Sequence, residues 1–248
     1  MKLVVAVKQV PDTEASIRIA PGEAKIDLSG VNMILNPYDE YAIEEALRLR
    51  DAHGGEVWAV TVGPDAAVDV LRTAIAMGVN DAVHIKAADV LDPLATAMLL
   101  ADQVKQMGFD LLLFGKMAID DAQMMVGPMV AELLSVPVVT RVSKLEVTDG
   151  RLKAERDVEG GRETLEAPLP AVVTAEKGLN EPRYPSLKGK MMAKKKVIET
   201  VEAGEVEVRE KIVGLNYPPS RSGTKILGEG VDAVPELVRI IRDELKLV

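Results

Sequence analysis

EVWAVTVGPDAAVDVLRTAIAMGVNDAVHI, residues 56–85, decides the fold. Glu56–Val62 is an apolar β-type run, Gly63-Pro64 breaks it, Ala66–Met77 has helical apolar spacing, and Asp81–Ile85 returns to a strand. Working outward, Leu3–Val7 is another buried β-type run, and Tyr38–Asp51 places Ala42, Ile43, Ala46, Leu47 and Leu49 at helical intervals after the break Asn36-Pro37. Downstream, the helical stretches Pro93–Met107 and Asp120–Leu134 alternate with the strand-like Asp110–Phe114 and Val136–Arg141. Strands that alternate with helices of about ten or more residues form a mostly parallel sheet covered on both faces, with right-handed crossovers. The expected fold is therefore a doubly wound α/β domain.

After Ser143 the grammar changes. KLEVTDGRLKAERD alternates around Thr148-Asp149-Gly150 and turns again at Glu159-Gly160-Gly161, which reads as a β-hairpin excursion. Leu169–Ala175 then reads as a strand rejoining the main sheet. From Glu199 to Gly228 the chain is polar and irregular, an extended arm, and Val231–Leu247 is amphipathic with Pro235 in its first turn. The expected division is 1–198 as the α/β domain and 199–248 as an arm and helix with so little core that they pack on another chain.

Composition limits the function. The 248 residues are 48% hydrophobic, enough for a substantial core. A net charge of −9 argues against nucleic-acid binding, because neutralising phosphates needs a basic face. Apolar runs fall short of the roughly 20 residues that span a bilayer. The opening MKLVVAVKQV reads as a strand rather than a signal peptide, so a cytoplasmic location is expected. Zero cysteine excludes disulfides, thiol nucleophiles and Cys-ligated metals, and only His53 and His84 carry imidazoles, each read as structural. No metal site is expected.

Leu179–Lys196, LNEPRYPSLKGKMMAKKK, joins a proline-framed loop to a cationic run. Pro182 and Pro185 remove two backbone donors, and Leu187 is expected near the exposed end. Lys188 to Lys196 holds five lysines and no acid, which steers acidic surfaces from a distance. A lysine run alone is read more simply as a solvated surface helix after a loop. At the carboxyl edge of an open sheet, where ligands bind, lie Ala6–Thr13, Val62-Gly63-Pro64 and Gly115–Val126. Helix N-termini there offer N–H groups to a phosphate, but neither GxGxxG nor GxxxxGK[ST] is present.

Several motifs occur together: VAVKQVPDT, NPYDEYAIEEALRLRD, GKMAIDDAQ, the acidic VEGGRETLEAPLPAVVT at Val158–Thr174, and the proline-framed loop. In kind and order they resemble the β subunit of electron-transfer flavoproteins, over nearly the whole chain. The resemblance implies a heterodimer with an α subunit that carries electrons from flavin dehydrogenases, such as acyl-CoA dehydrogenases, to an acceptor such as a quinone oxidoreductase, without being an enzyme. It implies that the loop is the partner-recognition element, with Leu187 entering a pocket on the dehydrogenase and Arg183, Tyr184, Pro185, Lys188, Lys190, Lys194 and Lys195 beside it. It further implies that the redox FAD is held mainly by the α subunit, with this chain closing one side near Thr13 and Tyr38. An AMP of structural role is expected at Ala6, Asn36, Pro37, Tyr38, Asp39, Val62, Gly115, Lys116, Ala118, Ile119, Asp120, Asp121, Gln123, Met124, Met125 and Val126. In the electron-bifurcating branch the same cavity takes a second FAD, and VPDT, NPYD and Val126-Gly127-Pro128 look more like that branch.

One departure stands out. Relatives carry an Asn-Gln-Thr run or Gly-Asp-Thr-Ala-Gln where this chain has Asp121-Ala122-Gln123-Met124-Met125-Val126. Losing two or three neutral hydrogen bonds at about 0.5–1.5 kcal/mol each weakens a nucleotide, although backbone N–H groups remain. AMP is expected ahead of the second FAD, and an empty or altered pocket stays open. The alternative from another class is a stand-alone nucleotide-binding stress-protein-like module, which needs neither loop nor arm. Asp120 and Asp121 read either as an acid/base pair or, more simply, as first-turn residues of a helix. The cluster Glu155, Asp157, Glu159, Glu163 and Glu166 reads as a solvated hairpin face rather than a cation site.

Overall fold

The structure is a computed structural model that describes residues 1–22, 24–87, 91–219 and 223–248. The chain begins with β1 (Lys2–Ala6), β2 (Gln9–Pro11), β3 (Arg18–Ile19), β4 (Ile26–Asp27) and β5 (Met33–Leu35). Next come α1 (Pro37–His53), β6 (Glu56–Gly63), α2 (Val68–Met77), β7 (Asp81–Lys86), α3 (Pro93–Met107), β8 (Leu111–Gly115), α4 (Val126–Leu134) and β9 (Val138–Val142). A three-stranded antiparallel excursion, β10 (Lys144–Thr148), β11 (Arg151–Val158) and β12 (Gly161–Pro168), precedes β13 (Ala171–Ala175), α5 (Leu187–Lys195), β14 (Glu199–Glu202) and α6 (Val234–Arg239).

The central sheet has the order β14-β7-β6-β1-β8-β13-β9, and every pairing in it is parallel. Alternation along the strands separates two cores. Leu3, Val5, Leu111, Leu113, Ala171 and Val173 face α1, α2 and the excursion, whereas Val4, Val60, Leu112, Phe114 and Val172 face α3 and α4. Because β6 and β7 extend one way from β1 and β8 starts the other way, strand order reverses between β1 and β8, opening a crevice at their carboxyl ends.

Two compact units are present, Met1–Val213 and Gly214–Val248. The first reaches past residue 198 because Glu199–Glu202, read from sequence as the start of the arm, adds to the sheet beside β7. Its single valine gives little strand pattern, as an edge strand permits. In the second unit Pro235 lies in the first turn of α6, as expected, and the helix continues through a π-type turn at Ile240–Glu244. Val234, Leu237, Val238 and Leu245 are about half exposed. Of the expected arm, 220–222 lie outside the described residues.

Candidate functional site

Asn36 and Asp39 sit at the mouth of the crevice because Pro37, which has no N–H to lose, starts α1 between them. The Asn36 Nδ2 donates to Asp39 Oδ1 (2.8 Å) and to the Met117 carbonyl (2.9 Å), while its Oδ1 accepts from the Ile119 N–H (3.2 Å). Asp39 also accepts from the N–H groups of Lys8 (2.8 Å) and Gly115 (3.1 Å). One buried carboxylate thus fixes the segment after β1, the start of α1 and the end of β8. Burial pushes its carboxyl up to about 7, against the opposing pull of these hydrogen bonds and of the Lys8 charge. Gly115 is required here: a Cβ would stand 2.4 Å from Asp39 Oδ1 and 2.6 Å from the Tyr38 carbonyl carbon.

Around this hub the crevice gathers most of the expected nucleotide residues. Ala6 ends β1, Val62 lies near the end of β6, and Gly115 to Val126 form the passage into α4. Lys116 pairs with Glu176 (2.8 Å) and sets its ammonium 4.9 Å from the centre of the Tyr38 ring. Thr13 lies in the exposed turn after β2, where its hydroxyl donates to Asp12 (3.4 Å). The expected helix from Asp120 is corrected: α4 starts at Val126, and Asp120 and Asp121 instead flank the Lys8 ammonium at 2.8 and 2.9 Å. They are neither helix-capping acids nor an acid/base pair poised on a free cleft. Pro128 was the overlooked signal, since a proline fits only the first turn.

Between them, Ala122 and Met124 adopt φ of 53° and 55°, in the left-handed region that side chains with a Cβ rarely occupy. The turn is closed on itself, the Ala122 N–H donating to the Ala118 carbonyl (2.9 Å). Val126 and Gly127 open α4 without a side-chain cap, so the donors that fit a phosphate here are the backbone N–H groups at the start of that helix, in place of the missing hydroxyl and amide side chains. Met124 and Met125 are exposed, as is Gln123, whose N–H donates to Asp121 (3.1 Å).

A second candidate surface lies on the far side of α1. Leu179 is buried, and the Asn180 Nδ2 donates to the Tyr41 carbonyl (3.0 Å) and to Glu45 (2.9 Å). Arg183 grips Glu44 through Nε (2.7 Å) and Nη2 (3.0 Å) and reaches Asp51 at 3.3 Å. Beyond that anchor the apolar groups emerge, Tyr184 95% and Leu187 78% exposed. Leu187 is the first residue of α5 rather than a residue of the loop, because Ser186 caps the helix by accepting the Gly189 N–H (3.0 Å). Lys188, Lys190, Lys194 and Lys195 are exposed, whereas Lys196 is tied to Asp81 (2.7 Å). Gly189 lets α5 press on α2, as a Cβ would come 2.3 Å from the Ala76 carbonyl oxygen.

Three of the five acids of the hairpin cluster are paired within its own strands. Arg162 meets Asp157 (3.0 Å) and Glu155 (3.3 Å), and Arg156 meets Glu163 (2.8 Å). His84 is buried against the Gly63 carbonyl (2.9 Å), and His53 is exposed at the end of α1. Lys8, Glu44 and Asn180 were missed as organising residues. The signal for Glu44 and Glu45 was available, since two acids amid Ala42, Ile43, Ala46 and Leu47 on a core helix require partners.

A family model described as the electron transfer flavoprotein domain matches residues 24–206. The chain belongs to the electron transfer flavoprotein family. The protein named electron transfer flavoprotein subunit beta in Bacillus subtilis (strain 168) is 44% identical, with 100% of both chains covered. Its counterpart in Syntrophomonas wolfei is 37% identical over 100% of this chain and 98% of its own, and that in Mus musculus 38% identical over 98% and 97%. Family membership makes the chain part of an electron carrier rather than an enzyme, which displaces the stress-protein-like alternative and the acid/base reading of Asp120 and Asp121. Among the described residues no helix is long and apolar enough to cross a membrane.

Proposed function

We propose that this chain is the β subunit of a heterodimeric electron transfer flavoprotein that takes electrons from flavin dehydrogenases, acyl-CoA dehydrogenases among them, and passes them to an acceptor such as a quinone oxidoreductase, in the cytoplasm. The observation that carries this reading is Leu187, 78% exposed at the head of a helix whose approach is anchored by polar side chains. An exposed leucine worth about 1.5–3 kcal/mol when buried, with lysines for steering, suits a partner that must leave again. Tyr184 and Pro185 flank it, and Lys188, Lys190, Lys194 and Lys195 provide the positive field.

The redox FAD, when bound, supplies one- and two-electron chemistry. The α subunit holds most of it, while Thr13 and Tyr38 of this chain cover one side. AMP is the ligand assigned to the crevice: Ala6, Asn36 to Asp39 and Val62 flank the nucleoside, and the Gly115 to Val126 segment meets the phosphate, with the uncapped start of α4 supplying backbone N–H donors. The half-exposed apolar side chains of the Gly214–Val248 unit favour contact with the α subunit. Coexpression with a candidate α subunit tests the reading, a yellow heterodimer being expected and a colourless homodimer counting against it. Mass identification of the released nucleotides separates AMP from a second FAD.

A further inference from the structure

Glu44 is 5% exposed on α1, and a carboxylate so enclosed is costly without a cation. Arg183 meets it with three donors, the backbone N–H (3.1 Å), Nε (2.7 Å) and Nη2 (3.0 Å), and directs the rest of its fork to Asp51. The very next residue, Tyr184, is 95% exposed. Arg183 is therefore the last fixed point of the chain before the apolar face that ends on Leu187. Reaching for an acid on another protein would leave Glu44 buried and unpaired, so this guanidinium is poorly placed to serve as a partner contact, the role its position in a docking loop suggests.

We infer that Arg183 is a positioning residue that acts through Glu44, holding Tyr184 to Leu187 in the arrangement a dehydrogenase meets, so that little ordering remains to be done at encounter. This rests on the carrier reading. Preordering of a binding segment raises affinity by removing the entropy cost of fixing it, and here the fixing bonds are internal to the chain.

A double-mutant cycle in the α/β heterodimer tests it, using a purified acyl-CoA dehydrogenase with its acyl-CoA as the reductant. Arg183→Gln and Glu44→Gln should each raise the KM for the heterodimer by about three- to tenfold with kcat nearly unchanged, and the double variant should be no worse than the weaker single. Arg183→Lys should recover part of the loss. Amide exchange across residues 181–190 should quicken in the singles and the double alike, and reduction by dithionite, which needs no docking, should stay at the parent rate. The double variant removes both charges, so it folds without an unpaired buried carboxylate. A Glu44→Gln variant with parent KM beside an impaired Arg183→Gln would overturn the inference and make Arg183 a direct contact, as would parent KM in all variants. Leu187→Ala is run in parallel: if it raises KM while the cycle is flat, only the positioning role fails, whereas a parent KM there removes the docking reading and the inference with it.

Discussion

The crevice at Asp39 and the segment around Leu187 use the same helix in opposite ways. At the N-terminus of α1, polar groups turn inward and satisfy one another, with Asp39 collecting three donors and Asn36 spending both ends of its amide. Along the side of α1, the Asn180 Nδ2 and the Arg183 guanidinium are again consumed internally, but what they hold is an apolar surface facing outward. A permanent ligand calls for a cradle that does not move, and a transient partner calls for sticky side chains on a firm base. Buried polar networks provide the firmness in both, since each group left unmatched would cost about 1–3 kcal/mol.

The largest break in this comparison comes from pH. Asp39 keeps its proton up to about 7 in the folded chain against 3.8 when exposed, so between those values the native state holds a proton that the unfolded state has released. Its unfolding free energy should then fall as pH rises from about 4 to about 7, on the order of 4 kcal/mol at 1.36 kcal/mol per pH unit, and the group's contribution is level above that. Urea titrations across that range should lose this slope in Asp39→Asn, and an unchanged slope would contradict the burial argument. Gly115→Ala follows, because the new methyl meets the Tyr38 backbone as well as Asp39, with a loss of about 3 kcal/mol in a chemical melt and weaker nucleotide retention.

The opposite response is expected of Leu187→Ala. Exposed in the free protein, it should leave the melt unaltered and flavin content intact while slowing reduction by the dehydrogenase about tenfold to a hundredfold, matching about 1.5–3 kcal/mol of lost burial. Parent rates by stopped flow would remove the contrast between the two regions. The smallest effect belongs to the lysines. Replacing Lys188, Lys190, Lys194 and Lys195 together by Gln should cut the association rate by up to about tenfold at low salt, with the difference shrinking as ionic strength rises.

Much of the fold was legible because its elements are long and strongly patterned. Pro93–Met107 is a helix with the bounds read from sequence, and the turns at Asp149-Gly150 and Gly160 both carry the positive φ that their residues suggest. The reading failed where a distant partner decides the local structure. Asp120 to Leu134 looks helical, yet Lys8, more than a hundred residues earlier, draws the two aspartates into an ion pair and leaves the helix to begin at Val126. Leu187 was placed in a loop because Pro182 and Pro185 dominate the local pattern, whereas the cap on Ser186 and the contact of Gly189 with α2 make a helix.

By itself the sequence determined the alternation of strands and helices, the hairpin excursion and the family, all of which follow from side-chain periodicity, turn chemistry and ordered motifs along the chain. Only the tertiary structure decided that Asp39 joins three segments, that Lys8 belongs to Asp120 and Asp121, and that Arg183 faces inward to Glu44. Those pairings depend on which charged groups are brought together after burial has removed water as their partner, and no local pattern encodes that distance.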